Sequence, residues 1–293
     1  MLNYALATAA IREQVRYEEA ELPLKNGQCR SRFFFHARPT QTVCLFFHGF
    51  TAAPYQFEPL GQACFEAGYN VLVPLLPGHG KAGNWNRKQP PPLTSDPMVY
   101  HRAVAEWLGI AKMLGDRVVV GGLSTGGTLA AWAALTYPQL VDRALLFAPF
   151  LGHKFKPVDW LIKTLPIYFE WFNKDAPGNF GYNGFQMPAL RLFLEMAEDT
   201  VKQAKRQPIS PILMVCSESD PCGICKAARV TNRQTQRQFF QTVVQQQPRS
   251  CYHCFDKRYK IRHRMMTQME GNQYEDWVIH LAKAYIAQEE TVA

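Results

Sequence analysis

No uninterrupted apolar stretch in this 293-residue chain approaches the ~20 residues a membrane-spanning helix needs, because Pro, Lys, Asn or Gly breaks every candidate. The first ten residues carry no basic cluster ahead of a long apolar run, so a secretory leader is not expected. Residues 11–22 read instead as an amphipathic, charged helix. Internal repeats are lacking, and the glutamines between 234 and 247 are a mild bias on a helix rather than a low-complexity tract. These absences leave a soluble cytoplasmic protein as the expectation. With 47% hydrophobic and 13% aromatic residues, the chain can bury a sizeable core without relying on disulfides or metals.

Acids are scarce in one place. Between Lys226 and Arg264 ten Lys or Arg stand against a single acid, Asp256, a local net charge of +9 within a chain whose total is +8, so the remainder nets −1. The plainest reading is a solvated helix face and loop. Attraction to an anionic substrate or an acidic lipid surface is the alternative, which leaves peripheral membrane contact open. No nucleic-acid recognition motif accompanies the charge, so nucleic acid is not an expected partner. Nothing in the sequence specifies an oligomeric state.

What is present is an alternation of short buried apolar runs with longer helical patterns, which predicts a mostly parallel sheet with helices on both faces. Strands are predicted at 32–36, 42–47, 70–74, 117–121, 143–148, 209–216 and 250–255. Helices are predicted at 55–67, 98–114, 125–137, 226–246 and 274–287. The second helix starts well, since Asp96 can cap it and Pro97 fits its first turn. Residues 152–207 break the alternation. A structureless connection of that length is improbable, so this stretch should carry its own helices, at 158–172 and 188–206, as a cap inserted between core segments 1–151 and 208–293.

The strongest local signal is Gly122-Leu123-Ser124-Thr125-Gly126, directly after the strand Val118-Val119-Val120 and directly before a helix-favouring run. A strand-to-helix turn this sharp holds the serine in strained backbone geometry and crowds the positions two before and two after it, so both need glycine. Such a turn lifts the hydroxyl clear of the sheet and aims the helix N-terminus at a developing oxyanion.

With this elbow, Leu45-Phe46-Phe47-His48-Gly49-Phe50 and Pro77-Gly78-His79-Gly80, the chain resembles the α/β-hydrolase superfamily over nearly its whole length. Within it the similarity is to bacterial carboxylesterases and monoacylglycerol lipases. The resemblance implies an α/β-hydrolase fold, Ser124 as nucleophile and an oxyanion hole formed by the backbone N–H groups of Phe50 and Thr125. Many relatives carry an acid before the GHG element, where this chain reads Pro74-Leu75-Leu76-Pro77. That departure favours the esterase-like branch over dehalogenase-like or epoxide-hydrolase-like chemistry, which also requires an Asp where Ser124 stands.

In chain order the nucleophile is followed by the acid and then the histidine. Asp220, just past the run 212–217, is the leading acid, Glu218 the fallback, and Asp256 is disfavoured by basic neighbours that can pair with it. His263 is the leading base, on a loop after the last strand; His253 falls within that strand and His280 within the last helix. His48 and His79 precede the serine and are expected to shape the site through hydrogen bonds. Arg262 and Arg264 flank His263 and would depress its pKa if turned toward the ring.

Two CxxC pairs, Cys222/Cys225 and Cys251/Cys254, invite a zinc or redox reading. Twenty-five residues lie between them, and positions three apart on a strand face opposite ways, so no metal is expected and plain thiols are preferred. Cys29, Cys44, Cys64 and Cys216 read as core or scattered thiols suited to a reducing compartment. The expected reaction is two-step acyl transfer on a small-molecule carboxylic ester, without cofactor. Thioesterase, peptidase and acyltransferase activities, or a catalytically idle pocket for a small ligand, are the alternatives on the same fold.

Overall fold

The computed structural model describes residues 2–171, 179–267 and 272–288. A seven-stranded sheet of order β1-β3-β2-β4-β5-β8-β9 forms its centre, built from β1 (Arg32–Phe34), β2 (Thr40–Phe47), β3 (Asn70–Val73), β4 (Gly115–Leu123), β5 (Val141–Phe147), β8 (Ile212–Ser217) and β9 (Cys251–Phe255). Only the edge strand β1 runs antiparallel to its neighbour; the other pairings are parallel. All seven predicted strands are present.

The central strands are buried on both faces, which is why they read as continuous apolar runs rather than alternating ones. Val43, Leu45 and Phe47 of β2 face one layer, with Val118 and Val120 of β4, while Cys44, Phe46 and Val119 face the other. The first layer is closed by α3 (Pro97–Leu114), α4 (Thr125–Thr136), α6 (Met187–Gln203) and α7 (Lys226–Gln246), and the second by α2 (Glu58–Glu66) and α8 (Glu275–Ile286). The Asp96 side chain accepts from Met98 N–H at 2.9 Å with Pro97 in the first turn, so α3 starts where its cap predicts. The N-terminal helix α1 (Leu2–Ala20) begins well before residue 11. Among the described residues no helix is long and apolar enough to cross a membrane.

Between β5 and β8 the chain forms α5 (Lys156–Thr164), β6 (Tyr168–Glu170), β7 (Gly184–Gln186) and then α6. The single helix expected over 158–172 is therefore corrected. Pro166 has no N–H to give and clashes with the preceding turn, so α5 stops at Thr164 and the chain continues extended, pairing Tyr168–Glu170 antiparallel with Gly184–Gln186. A helix over 158–172 would align Leu161, Leu165, Tyr168 or Phe169, and Phe172 on one face; no such stripe forms, since Leu161 and Leu165 are exposed, Ile162 is buried, and Phe172 lies outside the described residues.

Candidate active site

Ser124 sits at the junction of β4 and α4 with φ 59° and ψ −115°, a left-handed conformation that is rare for a residue with a side chain. Its neighbours hold it there. The Ser124 N–H donates to Phe147 O at 3.0 Å, and its carbonyl accepts from Thr128 N and Phe150 N at 3.1 and 2.9 Å. A Cβ on Gly122 would stand 2.0 Å from Gly126 O, and one on Gly126 would stand 2.0 Å from Phe47 O. Both contacts are with backbone, which cannot swing aside. Gly126→Ala is accordingly expected to cost about 3 kcal/mol of stability or more, read as a lowered urea midpoint with an unchanged m-value. A cost below about 1 kcal/mol would mean the turn has slack.

Asp220 follows β8. One carboxylate oxygen accepts from Cys222 N–H at 2.8 Å, and the other stands 2.8 Å from His263 Nδ1. A carboxylate only accepts, so the Nδ1 proton is on the ring and Nε2 carries the lone pair. Burial alone would lower the His263 pKa, but the Asp220 carboxylate, aided by the Cys222 side chain, outweighs it and holds the imidazole well above its ordinary 6.5. This happens in spite of the flanking Arg262 and Arg264, against the depression their sequence positions suggested.

The loop after β2 lies against the serine: a Cβ on Gly49 would stand 3.6 Å from Ser124 Cβ. Gly49 N–H donates to Gln56 Oε1 at 2.8 Å. His48 is buried and spent on this loop, with Nδ1 donating to Gly49 O and Nε2 accepting from Leu76 N–H, both at 3.0 Å. Burial, with His79 beside it, holds its pKa well below the usual range, so it stays neutral. His79 is lowered to about 4 by burial and packs edge-on to His48. Thr51 carries a second positive φ, 60°, and is clamped by the segment between β5 and β8: Trp171 Nε1 donates to its hydroxyl at 2.8 Å and Tyr182 N–H to its carbonyl at 2.7 Å.

A cavity of about 270 Å³ joins these parts. Ser124, Asp220 and His263 line it together with Phe50 and Thr125. Glu218, Asp256, His253 and His280 do not. Glu218 N–H donates to Phe255 O, Asp256 caps the turn at 257–259 and pairs with Arg258, and His253 and His280 are exposed on β9 and α8. Of the cysteines, Cys222 lines the cavity, Cys225 accepts from Ala228 N–H as the cap of α7, Cys251 is exposed and Cys254 half-buried; all eight are free thiols. Phe169 is not on the cavity wall; it packs on Trp171 and Phe185.

Sequence reasoning missed several wall residues. Ile162, Trp171 and Leu190 come from the segment between β5 and β8, and Arg229 and Asn232 from the first turns of α7. It also missed His153, which lines the cavity while its Nδ1 donates to buried Asp159 at 2.7 Å; Lys156 holds the other oxygen of that carboxylate. No motif marks this pair; a His and an Asp six positions apart meet only because α5 turns the chain back.

The family model described as alpha/beta hydrolase fold matches residues 42–195, just over half of the chain. The chain belongs to the α/β-hydrolase family. A thermostable monoacylglycerol lipase of Bacillus sp. (strain H-257) is 34% identical over 109 residues; this match covers 36% of this α/β hydrolase and 40% of that relative, so it spans well under half of either. Among solved structures, one reported with the metagenome-derived lipolytic enzymes LipS and LipT superposes with a TM-score of 0.69 at 16% identity, covering 90% of this chain and 99% of that one. The monoacylglycerol lipase of Paleococcus ferrophilus superposes at 0.63 with 17% identity, covering 87% and 97%. At these identities the superpositions speak to the fold.

Proposed function

We propose that this α/β hydrolase cleaves carboxylic esters through Ser124, His263 and Asp220. His263 Nε2 takes the proton from Ser124 as its Oγ attacks the ester carbonyl, and the resulting oxyanion is held by Phe50 and Thr125 N–H, each donor contributing about 3 kcal/mol. As the tetrahedral intermediate collapses, the C–O bond to the alcohol breaks and His263 hands its proton to the leaving alkoxide. Water then attacks the acyl-enzyme, again giving its proton to His263. The acid departs and the Ser124 proton is restored. Asp220 keeps the ring in the required tautomer and stabilises the imidazolium.

One observation carries the reading: the strained Ser124 and the Asp220–His263 pair face one cavity although 95 residues lie between Ser124 and Asp220 in the chain. The name borne by two of the relatives, monoacylglycerol lipase, agrees with it. The test is p-nitrophenyl ester turnover combined with labelling by a fluorophosphonate probe. Turnover that the probe abolishes in step with labelling of Ser124 supports the proposal, and turnover indifferent to the probe would sink it.

We also read residues 152–207 as a cap whose inner face selects the acyl group, since Ile162, Trp171 and Leu190 present apolar surface to the cavity. Each acyl methylene buried there contributes up to about 0.8 kcal/mol until the space is filled. The kcat/KM is thus expected to rise from acetyl to medium-length p-nitrophenyl esters and then level. Ile162→Trp should move the optimum to shorter chains. A chain-length profile that Ile162→Trp leaves unaltered would place the acyl group elsewhere.

A further inference from the structure

The cavity is walled by more positive charge than its chemistry uses. Among the described residues, Arg229, Arg262 and Arg264 line it, and Asp220, held by His263, is its sole acid. Arg264 is buried and bonded to Tyr55, and Arg262 is exposed at the rim. Arg229 differs from both. It is half-buried at the start of α7, its Nε is buried without a hydrogen-bond partner, and no carboxylate of a described residue pairs with its guanidinium.

Its placement is built into the loop that carries the acid. Gly223, at φ 143°, lies so close to the Arg229 stem that a Cβ there would stand 2.8 Å from Arg229 Cγ. The loop after Asp220 therefore leaves room for this side chain to reach the cavity wall. A guanidinium N–H withdrawn from water and left unsatisfied costs free energy that an acceptor can return, and the planar fork of the group fits a carboxylate or phosphate through two parallel bonds.

We infer that the ester accepted by this site carries a second, anionic group, a carboxylate or a phosphate, which pairs with Arg229 while the scissile carbonyl lies at Ser124. The inference rests on the proposed ester hydrolysis and narrows its substrate class. It also gives a use to part of the basic stretch between 226 and 264, most of whose other cations, such as Lys226, Arg237, Arg249 and Lys257, are exposed.

The test uses two matched substrate pairs: mono-p-nitrophenyl adipate against p-nitrophenyl hexanoate, with the charge on the acyl side, and 4-carboxyphenyl butyrate against phenyl butyrate, with the charge on the alcohol side. The anionic-to-neutral ratio of kcat/KM is measured for wild type, Arg229→Met, which keeps the stem, and Arg229→Lys, which keeps the charge. For at least one pair, Arg229→Met is expected to lower the ratio about tenfold, as loss of a charged hydrogen bond would. Arg229→Lys should restore part of it. Raising salt from about 0.01 to 1 M, which shortens the screening length from about 30 to about 3 Å, should erode the wild-type ratio but not that of Arg229→Met. A ratio that Arg229→Met changes less than twofold in both pairs, with Ser124-dependent hydrolysis intact, overturns the inference and leaves ester hydrolysis standing. Failure to cleave any of the four esters overturns both.

Discussion

Ser124→Ala is expected to remove ester turnover, and His263→Ala to fall almost as far. In the proposed mechanism Ser124 supplies the attacking oxygen, and His263 is the ring that meets Asp220 at 2.8 Å on the same cavity. Members of one catalytic unit fail together, so each single change should lower kcat by about a million-fold, and the double change should be no worse than either alone. His253→Ala and His280→Ala should keep most activity, since both side chains are exposed and off the cavity. Steady-state kcat and KM for a p-nitrophenyl ester check this. Near-normal hydrolysis by His263→Ala would remove the base from the account.

The next largest effect is expected at Asp220, and it combines a rate with a pH shift. In Asp220→Asn the amide oxygen can still accept from Cys222 N–H, which turns the NH2 group toward His263 Nδ1. The ring must then accept at Nδ1 and carry its proton on Nε2, where it cannot take one from Ser124. A loss of about 10^3 to 10^4 in kcat follows. The base must be neutral to act, so kcat/KM should rise with pH through the His263 pKa. With Asp220 in place that pKa is held above 6.5, and the acidic limb of the wild-type profile should have its midpoint above that value. Without the carboxylate, burial is opposed by the Cys222 side chain alone, so the residual activity of Asp220→Asn should have its midpoint at lower pH than that of the wild type. An unshifted midpoint would show that Asp220 does not set the charge of the base.

Much of this arrangement was legible in the chain. The central strands could be read because both their faces are buried, leaving apolar runs such as Leu45-Phe46-Phe47 and Val118-Val119-Val120 with no polar alternation to confuse them. Ser124 could be read because its backbone strain demands glycine at 122 and 126, a local requirement visible in local sequence. Asp220 and His263 could be placed by their order after the serine and their positions beyond late strands, although nothing in their immediate neighbours marks them.

What stayed hidden depends on distant segments meeting. The break at Pro166 lies inside an apolar, aromatic stretch that has helical spacing, and pairing with Gly184–Gln186 outweighs that pattern once the proline ends the helix. The His153–Asp159 pair, the clamp of Trp171 and Tyr182 on Thr51, and the buried, unsatisfied Nε of Arg229 are cavity features made from separate elements, so periodicity carries no trace of them. The pKa of His263 shows the same limit. Its sequence neighbours are two arginines, whereas the groups that hold its charge, Asp220 and Cys222, come from a loop some forty residues earlier.

The central claim is that the acyl group passes through Ser124, and mass spectrometry of the trapped intermediate tests it most directly. The protein is mixed with a p-nitrophenyl ester, quenched in acid during turnover, digested and mapped. The expected result is an acyl adduct on the peptide containing Ser124, absent from Ser124→Ala. Ester hydrolysis with no adduct at Ser124, or with the acyl group on another cavity nucleophile such as Cys222, would contradict it.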